Sequence, residues 1–207
     1  MKRLAIVGAS GHGKVVADCA EMCGWDDVVF FDDAWPARSE LGHWTVVGNT
    51  DALLNRLDEF QGVVVAIGNN TVRRDKCLLL LHAGASLVTL VHPSAMISRY
   101  AHLGDGTVVL SGAIVNTDAR LGSGCIVNTG ACVEHDCLLG DFVHVSPNAA
   151  LAGGVTVGDL SWIGIGAVAR PLIQIGREVL IGAGAAVVSD VPDNATFVGV
   201  PAKPIKN

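Results

Sequence analysis

The sequence predicts two domains of different class: an α/β domain over residues 1–90 and an all-β domain of stacked coils over residues 91–207. Three observations predict this. An aliphatic residue or alanine recurs at every sixth position from Val91 to Val187. Glycines at 104, 122, 140, 158 and 176 add a second period of 18. The first 90 residues instead alternate short apolar runs with helical stretches, the pattern of a parallel sheet with crossover helices.

The α/β part begins with a strand at residues 3–7 and a glycine-rich turn, Gly8 to Gly13, that reads GxxGxG. A helix follows, with Val15, Val16, Cys19 and Met22 expected on its buried side. Val28 to Phe31 form a second strand that ends at Asp32-Asp33. Residues 51–60 look helical, Val63 to Ile67 form a buried strand ending at Gly68-Asn69-Asn70, residues 71–83 are helical, and residues 87–90 return as a strand. This is a Rossmann-like arrangement. The turn is not the dinucleotide order GxGxxG, so it reads either as a structural turn or as a phosphate cradle at a helix N-terminus. Ser10, Gly11, His12, Asp32, Asp33 and Gly68 fall at three strand ends on one rim, which favours binding.

A period of six fits neither a helix nor a flat strand and marks a stacked β-helical prism, three hexads to a coil. Each recurring position and the small residue four places later (Ala113, Cys125, Ala131, Cys137, Ala149, Val155) point inward, and the residue between them points out. The 18-spaced glycines are expected at one corner, where backbone angles exclude side chains. One outward column stacks Val108, Ile126, His144, Trp162 and Leu180; a second stacks Ile114, Cys132, Ala150, Val168 and Ala186; the third, with His102, Arg120, Leu138, Thr156 and Gln174, is largely polar. Two apolar outer faces predict a homotrimer.

The chain is 50% hydrophobic yet has no apolar run long enough to span a membrane. Its net charge of −6 argues against a nucleic-acid partner. Lys2 and Arg3 lead straight into a strand with no signal peptide, and the six cysteines, without a CxxC pair, read as reduced core residues of a cytoplasmic protein. The histidines lack metal-ligand spacing, so no metal is expected. His135 differs from the other histidines because Asp136 follows it in a turn, and a carboxylate can hold an imidazole tautomer and raise its basicity.

Six segments carry a resemblance: GASGHGKVVAD (8–18), FFDD (30–33), AIGNN (66–70), HPSA (92–95), VNTGACVEHDCLLGDFVHVSPNA (127–149) and VGVPAKP (198–204). Together they resemble the hexapeptide-repeat acyltransferases of the sialic acid O-acetyltransferase and nucleotide-aminosugar (bacillosamine-pathway) N-acetyltransferase subfamily. The resemblance implies a left-handed parallel β-helix and acetyl-CoA as cosubstrate. It implies His135 as general base, Asp136 as its orienting acid, and His144, Ile165 and Ala183 as coenzyme contacts between neighbouring prisms. Ser10, Gly11, His12, Asp32, Asp33 and Gly68 match positions that hold a nucleotide-linked sugar, and residues 196–202 match a segment closing near the coenzyme. The expected reaction is N-acetylation of a nucleotide-linked 4-amino-4,6-dideoxysugar. O-acetylation of sialic acid or a related sugar is the alternative, and a dinucleotide-binding regulatory module is the reading from another class.

Overall fold

A computed structural model describes residues 1–205. The chain divides into two compact units, Met1–Pro93 and Ser94–Asn207. Among the described residues no helix is long and apolar enough to cross a membrane.

The first unit runs β1 (Arg3–Val7), α1 (Gly11–Met22), β2 (Asp27–Phe31), β3 (Glu40–Leu41), β4 (Trp44–Gly48), α2 (Thr50–Leu54), β5 (Gly62–Val65) and α3 (Asn70–His82). The sheet order is β3-β4-β2-β1-β5, parallel except for β3 at its edge. β1 lies inside the sheet between β2 and β5, and Leu4, Ala5 and Ile6 are fully buried. The turn requires two of its glycines. Gly8 has φ +107°, and a Cβ there would lie 2.7 Å from Ile67. A Cβ on Gly13 would press on Phe30 at 3.0 Å and on the Gly8 carbonyl, so Gly13 lets α1 sit close to the sheet.

Several local expectations change. α1 packs through Val16, Ala17, Cys19 and Ala20, while Val15 and Met22 are 44% and 58% exposed. Small residues let the helix approach, so its buried face is the alanine side. The expected helix at 51–60 shrinks to α2 and one 3₁₀ turn, Leu57–Glu59. The Asn55 side chain donates to the Asp51 carbonyl and competes with the helical ladder there. The strand expected at 87–90 is reduced to a bridge from Val63 to Leu87 and the two-residue strand Leu90–Val91. The hairpin of β3 and β4, which the pattern did not mark, adds Trp44 edge-on to Phe30.

The second unit is a three-faced prism of two-residue strands, each pairing in parallel with the strand 18 residues on. The first face carries Val108–Val109, Ile126–Val127, His144–Val145, Trp162–Ile163 and Leu180–Ile181; the second runs from Met96–Ile97 to Ala186–Val187; the third runs from His102–Leu103 to Gln174–Ile175. Coils join by backbone bonds such as Ile114 N–H to Ala131 O and Cys132 N–H to Ala149 O, both 2.9 Å. The inward residues Ala113, Cys125, Ala131, Cys137, Ala149 and Val155 are fully buried. Thr196–Val198 continues the first face, and Lys203–Ile205 pairs antiparallel outside it. The outward column of the first face is less open than expected: Val108, Ile126 and His144 are at most 4% exposed, whereas Leu180 and, on the second face, Val168 are each 46% exposed.

The 18-spaced glycines are required for a different reason from the one expected. None of Gly104, Gly122, Gly140, Gly158 and Gly176 has positive φ. They are required because the next coil lies too close: a Cβ on Gly158 would meet the Arg177 nitrogen at 2.5 Å and the Gly176 carbonyl carbon at 2.7 Å. The left-handed conformation belongs to another corner position, three residues after each inward residue, in every hexad from Gly106 to Gly184. Asp118, Asp136, Asn148 and Leu172 are among its occupants. A further tie runs along the glycine corner. Asp141 Oδ1 accepts from Ser123 N–H (2.7 Å), Asp159 Oδ1 from Asp141 N–H (2.7 Å) and Asp193 Oδ1 from Arg177 N–H (2.9 Å).

Two alanine substitutions should therefore have opposite signs. Gly158→Ala overpacks a backbone contact and should destabilise by about 1–3 kcal/mol or more. Gly11→Ala, at a position with open space and ordinary φ, should stabilise by about 0.4–1 kcal/mol through the unfolded chain. Urea unfolding of both variants tests the pair; equal shifts would contradict the backbone-clash account.

Candidate functional site

His135 lies in the turn between Cys132–Val133 on the second face and Leu138–Leu139 on the third. Asp136 occupies the left-handed corner with φ +60°, a conformation aspartate tolerates better than most residues. The backbone bend brings the neighbouring side chains together, and His135 Nδ1 lies 2.8 Å from Asp136 Oδ2. The carboxylate is an acceptor, so Nδ1 carries the proton and Nε2 keeps its lone pair. The hydrogen bond to Asp136 raises the imidazole above the usual histidine range, with smaller contributions from the charges of Asp136 and Glu134. Glu134, unmarked in the sequence reading, is held by Asn116 Nδ2 at 2.8 Å. On the next coil a Cβ at Gly153 would sit 2.5 Å from the His135 ring, so glycine there makes room for the imidazole. His135, Asp136, Gly153, Gly154, Pro171 and Leu172 line a cavity of about 480 Å³.

His144, Ile165 and Ala183 are brought together: all three line a second cavity, of about 370 Å³, along the first face. Trp162 lies against the His144 ring, with centroids 4.2 Å apart. Asn128 accepts the Thr129 N–H through Oδ1 (2.8 Å), which turns its Nδ2 toward His144 Nε2 at 3.1 Å. Nε2 of His144 is thus an acceptor and its proton resides on Nδ1. Ser146, also on this cavity, is 3% exposed, and its hydroxyl has no hydrogen-bond partner among the described residues. Asn128 and Ser146 were not singled out in the sequence, because an outward asparagine or serine looks like any solvated residue. The segment 196–202 adds a strand beyond Leu180–Ile181 and touches the cavity-lining coil where Val198 approaches Gly182.

The two cavities are not one. The turn bearing His135 joins the second and third faces, so it lies across the prism from the first face, which carries His144.

In the first unit, Ser10 is the N-cap of α1 but makes no capping bond, and Gly11 has open space where a side chain would be. His12 is partly buried. Burial, and secondarily the charge of Arg73, push its imidazole down to about 4, so near neutral pH it offers a hydrogen bond and no charge. Asp32 pins the turn by accepting from Ala9 N–H (2.7 Å) and Ala34 N–H (2.9 Å). Arg38 donates to the Ala9 carbonyl at 2.6 Å and lies 3.7 Å from Asp32, placing a half-exposed cation on the rim. Asp33 is differently engaged: it accepts from Thr50 and Lys76, the latter at 2.6 Å, and the Lys76 hydrogen bond, then that of Thr50, holds it at about 2. Gly68 is fixed by Arg73, a guanidinium 1% exposed that donates to the Ile67 and Gly68 carbonyls and to Asn70. Arg38 and Arg73 had no sequence signal, since the carbonyls of Ala9, Ile67 and Gly68 that they hold are backbone groups any residue supplies.

Residues 3–77 match the family described as the PglD N-terminal domain. The UDP-N-acetylbacillosamine N-acetyltransferase of Bacillus subtilis (strain 168) is 40% identical over 113 residues, 54% of this chain and 52% of that protein, so the match spans about half the length of this curated relative. Among solved structures, the acetyltransferase domain of PglB from Neisseria gonorrhoeae FA1090 is 42% identical with a TM-score of 0.94, covering 99% of this chain and 100% of that one. The same domain in complex with acetyl coenzyme A is 44% identical, with a TM-score of 0.94 and 99% of each chain covered. A histidine-to-asparagine variant of the perosamine N-acetyltransferase from Caulobacter crescentus, in complex with CoA and GDP-perosamine, is 40% identical with a TM-score of 0.94, over 100% of this chain and 98% of that one. The chain belongs to the hexapeptide-repeat acyltransferases, in the subfamily of nucleotide-aminosugar (bacillosamine-pathway) N-acetyltransferases and sialic acid O-acetyltransferases.

Proposed function

We propose that this protein transfers the acetyl group of acetyl-CoA to the amino group of a nucleotide-linked 4-amino-4,6-dideoxysugar. The observation that carries the reading is the His135–Asp136 pair, with the Nε2 lone pair of His135 free of the carboxylate beside an open cavity. The amine nitrogen attacks the thioester carbonyl; the N–C bond forms, the C–S bond breaks, and the amine proton passes to Nε2 and then to the departing sulfur. Direct attack needs no enzyme nucleophile. Burial pushes the Cys132 thiol up to about 11, and Cys137 is fully buried, so neither suits an acyl-cysteine step.

The cavity on the first face suits the coenzyme arm, with His144, Ile165 and Ala183 as contacts and the Ser146 hydroxyl as an unused hydrogen-bonding group. The turn at Ser10, Gly11 and His12, with Asp32 and Gly68 around it, is assigned to the nucleotide; Asp33 acts there through Lys76 and Thr50. His135 and His144 lie on opposite sides of one prism, so a complete site takes the base from one copy and the coenzyme cavity from another. Three copies around a three-fold axis satisfy this for every site, in keeping with a homotrimer of left-handed helices. The relatives with amine acceptors, among them the one holding GDP-perosamine, favour N- over O-acetylation. The base pair argues against a purely regulatory module. We assign the protein to the cytoplasm, where acetyl-CoA and nucleotide sugars meet.

His135→Ala should lower turnover about 10²–10⁴-fold with the oligomer intact; a loss of only a few-fold would remove His135 from the mechanism. Asp136→Asn should cost less and shift the acid limb of kcat/KM to lower pH. The carboxylate raises the imidazole, so its removal lets the base stay neutral in more acid solution, and an unmoved limb would contradict the pairing. Sedimentation equilibrium should give three times the chain mass. Val168→Glu, which places a charge on the second face away from both cavities, should dissociate the oligomer and abolish activity together.

A further inference from the structure

Leu172 is expensive where it stands. Its φ of +63° places a branched side chain in the left-handed region, at a cost of roughly 1–2 kcal/mol. Of the three bulky apolar residues at such corners, Phe142 is only 7% exposed and Leu160 is partly buried, so both gain packing in return, whereas Leu172 is 76% exposed. It lines the same cavity as His135. Beneath it, a Cβ on Gly154 would lie 2.7 Å from Leu172 Cδ2, so the leucine fills the space that glycine leaves. Glycines 153 and 154 are the only residues between the imidazole coil and the Pro171–Leu172 coil at this corner, and they place no side chain between the two walls. His135 and Leu172 thus stand on coils two rungs apart, about 10 Å between backbones at the usual strand spacing, on either flank of the cavity.

We propose that Leu172, backed by Pro171, is a specificity-determining residue for the acceptor: it receives the methyl group on the sugar carbon beside the amine-bearing carbon, and it disfavours a hydroxymethyl group there. The proposal rests on the acetyltransferase reading above. With the amine directed at His135 Nε2, the adjacent carbon projects its substituent toward the facing wall, and that wall is aliphatic. A methyl group is desolvated there at no loss, while a hydroxyl would surrender its water without a partner. An apolar wall discriminates such a pair only modestly, by about 10–100-fold.

The test measures kcat/KM with acetyl-CoA for matched UDP- and GDP-linked acceptors, 4-amino-4,6-dideoxyhexose against 4-amino-4-deoxyhexose, in wild type and Leu172→Asn. Asparagine tolerates the left-handed corner, so the variant should fold with an unfolding midpoint at or above that of wild type. Wild type should favour the 6-deoxy acceptor about 10–100-fold. Leu172→Asn should bring the ratio to within about threefold of unity, chiefly through KM, with the acid limb of the pH profile unchanged. A wild-type ratio near one, or an unchanged ratio in the variant, overturns the proposal. Equal losses on both acceptors together with a smaller sedimenting mass also overturn it, and assign Leu172 to subunit contact. Acetylation of neither acceptor by wild type would overturn the acetyltransferase reading, and this inference with it.

Discussion

In the prism, the close hydrogen-bonded stacking of one coil on the next sets every other choice. The ladder of 2.9 Å bonds between coils fixes the rise, and the rise fixes what each position of the hexad can hold. Two neighbouring positions per strand divide between interior and exterior, so the aliphatic residues at every sixth place become one continuous core. At one place in the coil the stack is too tight for a Cβ; two residues on, and at the matching place in every hexad, the chain enters the left-handed region. Aspartates along the glycine corner then tie exposed backbone N–H groups from coil to coil, which satisfies donors that the turns leave open.

The chemistry is built on the same constraint. A left-handed corner bends the chain enough for Asp136 to reach its own neighbour, so the imidazole and the carboxylate that orients it need no long-range packing. The imidazole has room only because Gly153 of the next coil is bare. His144 sits on a flat strand instead, and a side-chain amide sets its proton position. The two histidines are thus held as the same tautomer, with the proton on Nδ1: a carboxylate accepts it in His135, and a side-chain amide donates to the Nε2 lone pair in His144.

The features legible in the sequence were those that repeat or adjoin. The hexad period gave the prism and its inward residues, and the adjacency of His135 and Asp136 became an actual hydrogen bond. The grouping of His144, Ile165 and Ala183 came from the resemblance, since nothing in their separation of 21 and 18 residues marks a shared cavity except the coil length itself. What stayed hidden depends on contacts between distant side chains and backbone. Arg73 and Arg38 hold carbonyls, Asn128 orients a ring, and Ser146 is buried by the cavity around it; none has a sequence spacing that betrays it. The 18-spaced glycines are visible as a period, but sequence shows where glycine recurs and not whether angle or proximity demands it. The short α2 failed as a longer helix for a similarly local reason, the Asn55 side chain competing for a backbone carbonyl.

A helix of parallel coils has open ends, and an open end offers unpaired N–H and C=O groups to any other strand in reach. Here the first face does not stop on a parallel rung. It turns back through Thr196–Val198 into the antiparallel strand Lys203–Ile205, with Pro204 opposite Phe197. Proline has no N–H to offer, and a lysine beside it carries charge to the outermost edge. The hairpin therefore removes from this face the geometry that would let one prism add end to end onto another. A fold whose principle is unlimited stacking carries, on the face that bears His144, its own guard against polymerisation.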